Sequence, residues 1–282
     1  MKLKKVLTLL ASAGVTLSLA ACGGATEPAG SAESNAPAAE ASADGGAKAE
    51  GDTFTVGFDA NFPPYGYKEG DEYVGFDLDL AAEVANRNGW ELVKQPIDWD
   101  SKDMELNAGT IDVLWNGFTI NGREDKYAWS KPYVDSSIVI VVRGDSGIET
   151  AADLAGKVVL VQADSSGKAA LDEAENADLK ASFADLTEVP DYNNAFMTLE
   201  AGAADAVVVD QSVAKQQMAA RDEGAFMELA EPLRSEQYGI GFKLGNEALR
   251  DQVQTSLDEM VKDGTFMKIA EKYDLQDAVI TE

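Results

Sequence analysis

From Thr53 onward, short apolar runs alternate with helical patterns, and a chain patterned in this way folds into α/β architecture with largely parallel strands. Residues 54–58 read as the first strand. After a Pro-rich loop, Phe76, Leu80 and Val84 recur at i, i+4 and i+8 and Gly89 supplies a stop, which predicts an amphipathic helix. Residues 90–94 read as a second strand, a second helix starts near an Asp100-Ser101 cap and ends before Gly109, and residues 111–115 make a third strand. The same order then returns as a strand over 158–161, a helix over 166–175 and a strand over 206–209.

Residues 137–143 are strongly β-branched and residues 238–242 form a second candidate crossing strand, so these two runs are expected to link two lobes. The first lobe is then assembled from both ends of the chain, with closing helices over 246–263 and 265–273 packed back onto it. Leu106-Asn107-Ala108-Gly109-Thr110-Ile111-Asp112 and Leu199-Glu200-Ala201-Gly202-Ala203-Ala204-Asp205 share the form Leu-x-Ala-Gly-x-x-Asp. Each reads as helix end, glycine turn and strand start. The echo supports two similarly built lobes, although it is also the commonest helix-to-strand connection.

The 282 residues accommodate two modest domains or one large one, and 45% apolar with 8% aromatic residues supplies a core. A formal charge of −27 and a pI near 4.2 argue against nucleic acid or anionic headgroups as partners, because no basic patch is segregated to offset the repulsion. There is no histidine and the only cysteine is Cys22, so neither an imidazole-dependent triad nor a His- or Cys-rich metal site can be built. No Asp-x-Asp-x-Asp-Gly run appears either, and neither a metal nor a cofactor is expected.

The N-terminus carries Lys2, Lys4 and Lys5, then a mostly apolar run over 6–10, then small residues ending in Leu19-Ala20-Ala21-Cys22. The apolar part is shorter than the ~20 residues of a transmembrane helix. Residues 1–22 therefore read as an export signal. Leu-Ala-Ala-Cys resembles the lipobox of bacterial lipoproteins, which implies that Cys22 becomes the lipidated first residue of the mature chain. Residues 23–51 are dominated by Ala, Ser, Gly, Glu and Pro, with no aromatic and no β-branched aliphatic residue, and read as a flexible tether.

Several polar residues follow directly after predicted strands: Asp59 after the first, residues 116–123 after the third, Ser165 and Ser166 after a second-lobe strand, and Asp210 after the strand that ends the echo. In open α/β sheets ligands bind outside the carboxyl ends of the strands, so these loops are where a site is expected. Arg123 offers a planar fork for a carboxylate, and Ser165-Ser166-Gly167 at a helix start offers N–H groups for the same anion. Asp210 suits an ammonium, while Trp99 and Phe62 offer flat apolar faces. Each residue also has a plain structural role open to it: Arg123, beside Glu124 and Asp125, as a solvated charge, the serines as N-caps, Trp99 as core. Together, a cation, an anion and aromatic surfaces on both lobes describe a site for a zwitterion.

From Thr53 to about Tyr273 the chain resembles the polar amino-acid-binding proteins of ABC importers (solute-binding protein family 3), which have the type II periplasmic-binding fold. The segments that carry the resemblance are Phe58-Asp59-Ala60-Asn61-Phe62-Pro63-Pro64-Tyr65, Gly75-Phe76-Asp77-Leu78-Asp79-Leu80-Ala81, Ile111-Asp112-Val113-Leu114-Trp115-Asn116-Gly117-Phe118-Thr119-Ile120, Trp129-Ser130-Lys131-Pro132-Tyr133 and Asp263-Gly264-Thr265. The resemblance implies that Arg123, Thr119 and Ser166 take the ligand carboxylate. Asp210 and the Gly117 carbonyl take the α-ammonium, while Asp59, Phe62, Trp99 and Asn116 surround the side chain. Two departures stand out: the stretch Thr119-Ile120-Asn121-Gly122-Arg123 is one residue shorter than usual, and Asp164 stands where a glycine is common. Asp164 adds negative charge near the cleft and disfavours acidic ligands.

The expectation is an α/β protein of two Rossmann-like lobes joined by a two-strand hinge, with 52–141 and 236–282 in lobe 1 and 142–235 in lobe 2. It would be a monomer that captures a polar or cationic amino acid outside the cytoplasm and hands it to an ABC importer permease, held to the membrane by the lipid on Cys22. An enzyme on the same fold, a cyclohexadienyl or arogenate dehydratase with Glu173 as its nominal acid, is the rival; lipid anchoring and the absence of histidine favour transport. A sensor or adhesin ectodomain ranks last.

Overall fold

The structure, a computed structural model, describes residues 46–281. The expected export signal, Cys22 and the tether up to residue 45 lie outside the described residues. The last part of the expected tether is already part of the body. Lys48 N–H donates to Gln252 Oε1 at 2.8 Å, Gln252 Nε2 donates back to Lys48 O at 2.9 Å, and Lys48 Nζ pairs with Asp112 at 2.9 Å. Composition alone hides this, because a single lysine among small residues finds its amide and carboxylate partners far away in sequence.

One sheet organises the described residues. Strands β1 (Thr53–Phe58), β2 (Glu91–Pro96) and β3 (Val113–Thr119) form a first parallel set, with β1 between the other two. The long strand β4 (Val134–Arg143) then crosses to a second parallel set, β5 (Val158–Gln162), β6 (Asp185–Val189) and β7 (Ala206–Asp210), and β8 (Arg234–Phe242) crosses back. The order is β6-β5-β7-β4-β8-β3-β1-β2. β4 pairs antiparallel with β7 of the second set, β8 with β3 of the first, and the two with each other: Asp210 of β7 and Arg234 of β8 stand opposite Ile138 of β4, while Tyr238 stands opposite both Val134 and Thr119. These two strands are the hinge between two α/β lobes. The apolar run of β4 has no alternation because both faces are covered: Val139 and Val141 face one core, Ile138, Ile140 and Val142 the other.

The echo between the lobes is a shared piece of architecture. In lobe 1, Asp112 N–H donates to Thr55 O at 2.8 Å while its carboxylate accepts Thr55 N–H at 2.6 Å. In lobe 2, Asp205 N–H donates to Val158 O at 2.9 Å and its carboxylate accepts Val158 N–H at 2.9 Å. Gly109 (φ 76°) and Gly202 (φ 72°) make the left-handed turn ahead of each, where a side chain would be strained. The aspartate of each echo thus clips a helix end to the start of the neighbouring strand.

Several expected boundaries move. The second strand begins at Glu91 and leaves Trp90 outside it. The third is Val113–Thr119 rather than 111–115, because pairing of Thr119 and Phe118 with Tyr238 and Gly239 carries it onward. Ser101 caps nothing with its side chain; Trp99–Ser101 is a 3-10 turn leading into the helix Lys102–Ala108. The helix expected over 166–175 stops at Asp172. Asn176 Nδ2 donates to Ala170 O at 2.8 Å, and Glu173 is drawn out by Arg234 at 2.6 Å. Chain closure is as expected: Glu247–Asp263 and Thr265–Lys272 pack on Phe76–Asn88, with Phe76 edge-on to Phe266 at 5.8 Å, and Ile280 N–H reaches Tyr133 O at 2.9 Å.

Candidate functional site

The strand ends converge on one small cavity between the lobes. Its walls are Phe62, Trp99, Asn116, Gly117, Phe118, Thr119, Arg123, Gln162, Ser165, Ser166 and Asp210. Every residue expected from sequence is there except Asp59. The free space is about 10 Å³, roughly one water and far below the ~300 Å³ at which ligand pockets begin. The lobes are therefore drawn together.

Arg123 is buried and makes no ion pair among the described residues. Its Nη1 donates to Thr119 O at 3.3 Å, its Nη2 reaches Asp164 O at 3.5 Å, and its guanidinium lies 5.2 Å from the Phe118 ring centre. The shortened Thr119–Arg123 stretch is a tight turn, with Arg123 N–H on Ile120 O at 2.9 Å and Gly122 at φ 76°. That turn still delivers the side chain to the cavity wall. A buried guanidinium with only carbonyl partners retains donors for an anion.

Asp210 lies across the cavity at the end of β7. Its Oδ1 accepts from Tyr238 Oη at 2.7 Å and from Ser166 Oγ at 3.2 Å. The Ser165 hydroxyl accepts Lys168 N–H at 3.1 Å as an N-cap. The helix Ser166–Asp172 is short, so the two serines contribute hydroxyls and N–H groups rather than a long dipole.

Gly117 adopts φ 56°, a conformation few side chains accept, and its N–H donates to Asp77 Oδ2 at 2.6 Å. Tyr133 Oη donates to the same oxygen at 2.8 Å. Burial pushes the Asp77 carboxyl up to about 7 against these two bonds.

Asp59 stands one layer back. Its carboxylate accepts Gln162 Nε2 at 2.7 Å and Asn61 N–H at 2.8 Å, and burial pushes it up to about 6. Gln162 Nε2 also donates to Pro190 O at 3.0 Å, so both amide protons are taken and Oε1 is the end left for a ligand. Asn116 Oδ1 accepts Asp59 N–H at 2.9 Å, while its buried Nδ2 has no partner among the described residues. Gln162 was overlooked in the sequence, although it obeys the strand-end rule that marks Asp59 and Asp210; an apolar run ending in Gln was the available signal.

Contacts bridge the lobes around this cavity. Lys102, its side chain almost wholly buried, pairs with Asp164 and donates to Asp164 O at 3.2 Å. Tyr65 Oη donates to Ser212 Oγ at 3.0 Å, and Phe62 lies 6.0 Å from the ring of Tyr192. Glu173, the nominal acid of the enzyme reading, is off the cavity wall and paired with Arg234. Among the described residues no cluster of three or more potential metal-ligating side chains occurs, and no helix is long and apolar enough to cross a membrane.

Residues 54–276 match the bacterial extracellular solute-binding proteins, family 3. The chain belongs to that family. The L-cystine-binding protein TcyJ of Escherichia coli is 31% identical over 226 residues, covering 78% of this chain and 82% of that protein. The arginine-binding extracellular protein ArtP of Bacillus subtilis is 28% identical over 275 residues, covering 96% and 98%. Among solved structures of similar proteins, an ABC uptake transporter substrate-binding protein from Streptococcus pneumoniae with bound histidine superposes with TM-score 0.77 at 33% identity, covering 80% of this chain and 94% of that one. As a family 3 solute-binding protein, the chain acts outside the cytoplasm, and these relatives are binding proteins rather than enzymes.

Proposed function

We propose that this solute-binding protein captures one amino acid as a zwitterion in the interlobe cavity and delivers it to an ABC importer. The observation that carries the proposal is a buried arginine, without an ion-pair partner among the described residues, and a buried aspartate on the walls of the same closed cavity. Arg123, with Thr119 and Ser166, takes the carboxylate. Asp210, with the Gly117 carbonyl, takes the α-ammonium. Phe62, Trp99 and Asn116 flank the side chain, and Asp59 acts through Gln162, whose Oε1 is left to accept from the ligand. An acceptor backed by Asp59, with Asp98 and Asp191 near enough to raise that carboxyl further, favours a polar or cationic side chain. Relatives named for cystine, arginine and histidine support this class.

Entry requires the lobes, 52–141 with 236–282 and 142–235, to part about β4 and β8, and binding to close them. The protein works as a monomer without metal or cofactor, tethered through a lipid on Cys22. A thermal-shift panel of the twenty amino acids tests the reading. One or a few polar amino acids should stabilise the protein, and Arg123→Ala and Asp210→Ala should each weaken binding of the best by roughly 30-fold or more, as expected for a buried charge left unpaired. Stabilisation by none of the twenty, or full stabilisation in both variants, contradicts it.

A further inference from the structure

Strand β8 carries a carboxylate that the amino-acid site leaves unused. Glu236 lies between Arg234 and Tyr238 on one face of the strand, since alternate residues share a face. Arg234 and Asp210 stand opposite Ile138 from its two sides, which puts Asp210 on that face too. Tyr238 Oη donates to Asp210 Oδ1 at 2.7 Å. Arg234 Nη2 donates to Glu236 Oε2 at 3.1 Å and to Ser166 O at 3.3 Å, while Nη1 donates to Glu173 Oε1 at 2.6 Å.

The Glu236 side chain is fully buried, and its Oε1 has no partner among the described residues. A buried ionised oxygen without a donor is costly. Arg234, already shared with Glu173, is the cation paired with Glu236, so it does not offset Asp210 as well. A proton on Oε1 removes the conflict by turning that oxygen into a donor. Burial, and then the adjacent Asp210, push the Glu236 carboxyl well above its usual range. The other titratable groups facing it are the buried hydroxyls of Tyr65, Tyr192 and Tyr238, which burial keeps neutral. Glu236 also borders an open groove of about 890 Å³ whose other charged groups are Asp135, Lys215, Asp274 and Asp277, although its side chain is not exposed there.

We propose that Glu236 holds a proton against Asp210 and releases it to solvent when the α-ammonium of the amino acid reaches Asp210, coupling capture to the release of one proton. The inference rests on Asp210 being the ammonium partner. The Glu236 O–H bond breaks, its electron pair stays on the carboxylate, and the proton passes to water while the lobes are still parted. The incoming ammonium keeps its protons and supplies the positive charge that the departing proton removes. Affinity then rises with pH, by up to about tenfold per pH unit, until Glu236 is ionised in the ligand-free protein as well.

Isothermal titration with L-arginine, or with the tightest binder of the twenty amino acids, tests this in buffers of different ionisation enthalpy from about pH 5 to about pH 8. The wild type should release close to one proton in part of that range. Glu236→Gln, isosteric and neutral, should release close to none, lose the pH slope and keep a Kd within about threefold of the wild type at the acid end. A wild type that exchanges no proton, or a variant with an unchanged proton count, overturns the coupling. If Glu236→Gln does not fold, Asp59→Asn and Asp77→Asn decide the source, since those two buried carboxyls also lie beside the cavity: a proton count unchanged in both supports Glu236, and a count lost in either overturns the coupling. Asp210→Asn separates the two claims. Wild-type affinity in that variant removes the ammonium assignment and the coupling with it, whereas lost binding together with no proton release in the wild type removes the coupling only.

Discussion

Asp77 shows how one buried carboxylate fixes the conformation of the site. It is fully buried, and with Oδ2 it accepts the N–H of Gly117 at 2.6 Å and the hydroxyl of Tyr133 at 2.8 Å. A Cβ at Gly117 would lie 3.0 Å from atoms of Phe62 and Tyr65, so both the bond and the missing side chain keep this carbonyl where an ammonium can use it. Desolvation raises the Asp77 carboxyl from 3.8 to about 7, so the folded protein binds more protons than the unfolded one across that window. Stability from this group is therefore lost as pH rises through the window. At ~1.4 kcal/mol per pH unit, the wild type should lose roughly 4 kcal/mol relative to Asp77→Asn between about pH 4 and about pH 7. Urea unfolding of both proteins across that range checks this, and parallel stability curves would count against it. Asp77 was visible in sequence only through the family segment around Gly75, since nothing local says that its partner is forty residues away. Arg123, Asp210 and the serines were legible because each sits where a strand runs out.

The elements were easier to read than their ends. Both crossing strands were visible as runs, β4 because burial on two faces removes the polar alternation. What local pattern could not supply was the extent set by a partner: β3 runs on because β8 lies beside it, and the helix at Ser166 ends early because Arg234 draws Glu173 away. The same holds between elements. Lys102, on the helix after Trp99, was unremarkable in sequence, yet it pairs with Asp164 across the cleft and donates to Trp99 O at 3.3 Å. Burial lowers the Lys102 ammonium despite that partner, so the pair matters while the lobes are closed. Lys102→Met should keep the packing and remove the tie. A charged hydrogen bond is worth ~1.5 kcal/mol net, so the Kd for the amino acid should rise roughly tenfold, with a larger radius of gyration in the ligand-free variant by scattering. An unchanged Kd and radius would mean that the pair only decorates the closed form.

At the scale of the whole molecule, the two lobes repeat one device, an aspartate that clips the helix end to the neighbouring strand, and among the described residues the chain passes between them through β4 and β8. Such a body can open about two strands by parting the contacts of Phe62 with Tyr192 and of Tyr65 with Ser212. Closure about a zwitterion, as proposed, would bring together from different lobes the guanidinium of Arg123, which has no ion pair among the described residues, and the Asp210 carboxylate, at a space of about 10 Å³. The formal charge of −27 keeps the surface soluble and favours approach of cationic solutes, an effect that salt screens. Whether the cavity reads both ends of an amino acid is open to a single comparison: isothermal titration of the best-binding amino acid beside its decarboxylated amine and its N-acetyl derivative. Binding of the parent with loss of both derivatives, each by roughly 30-fold or more, is expected if Arg123 and Asp210 clamp the two charges. Comparable affinity for either derivative would contradict the clamp.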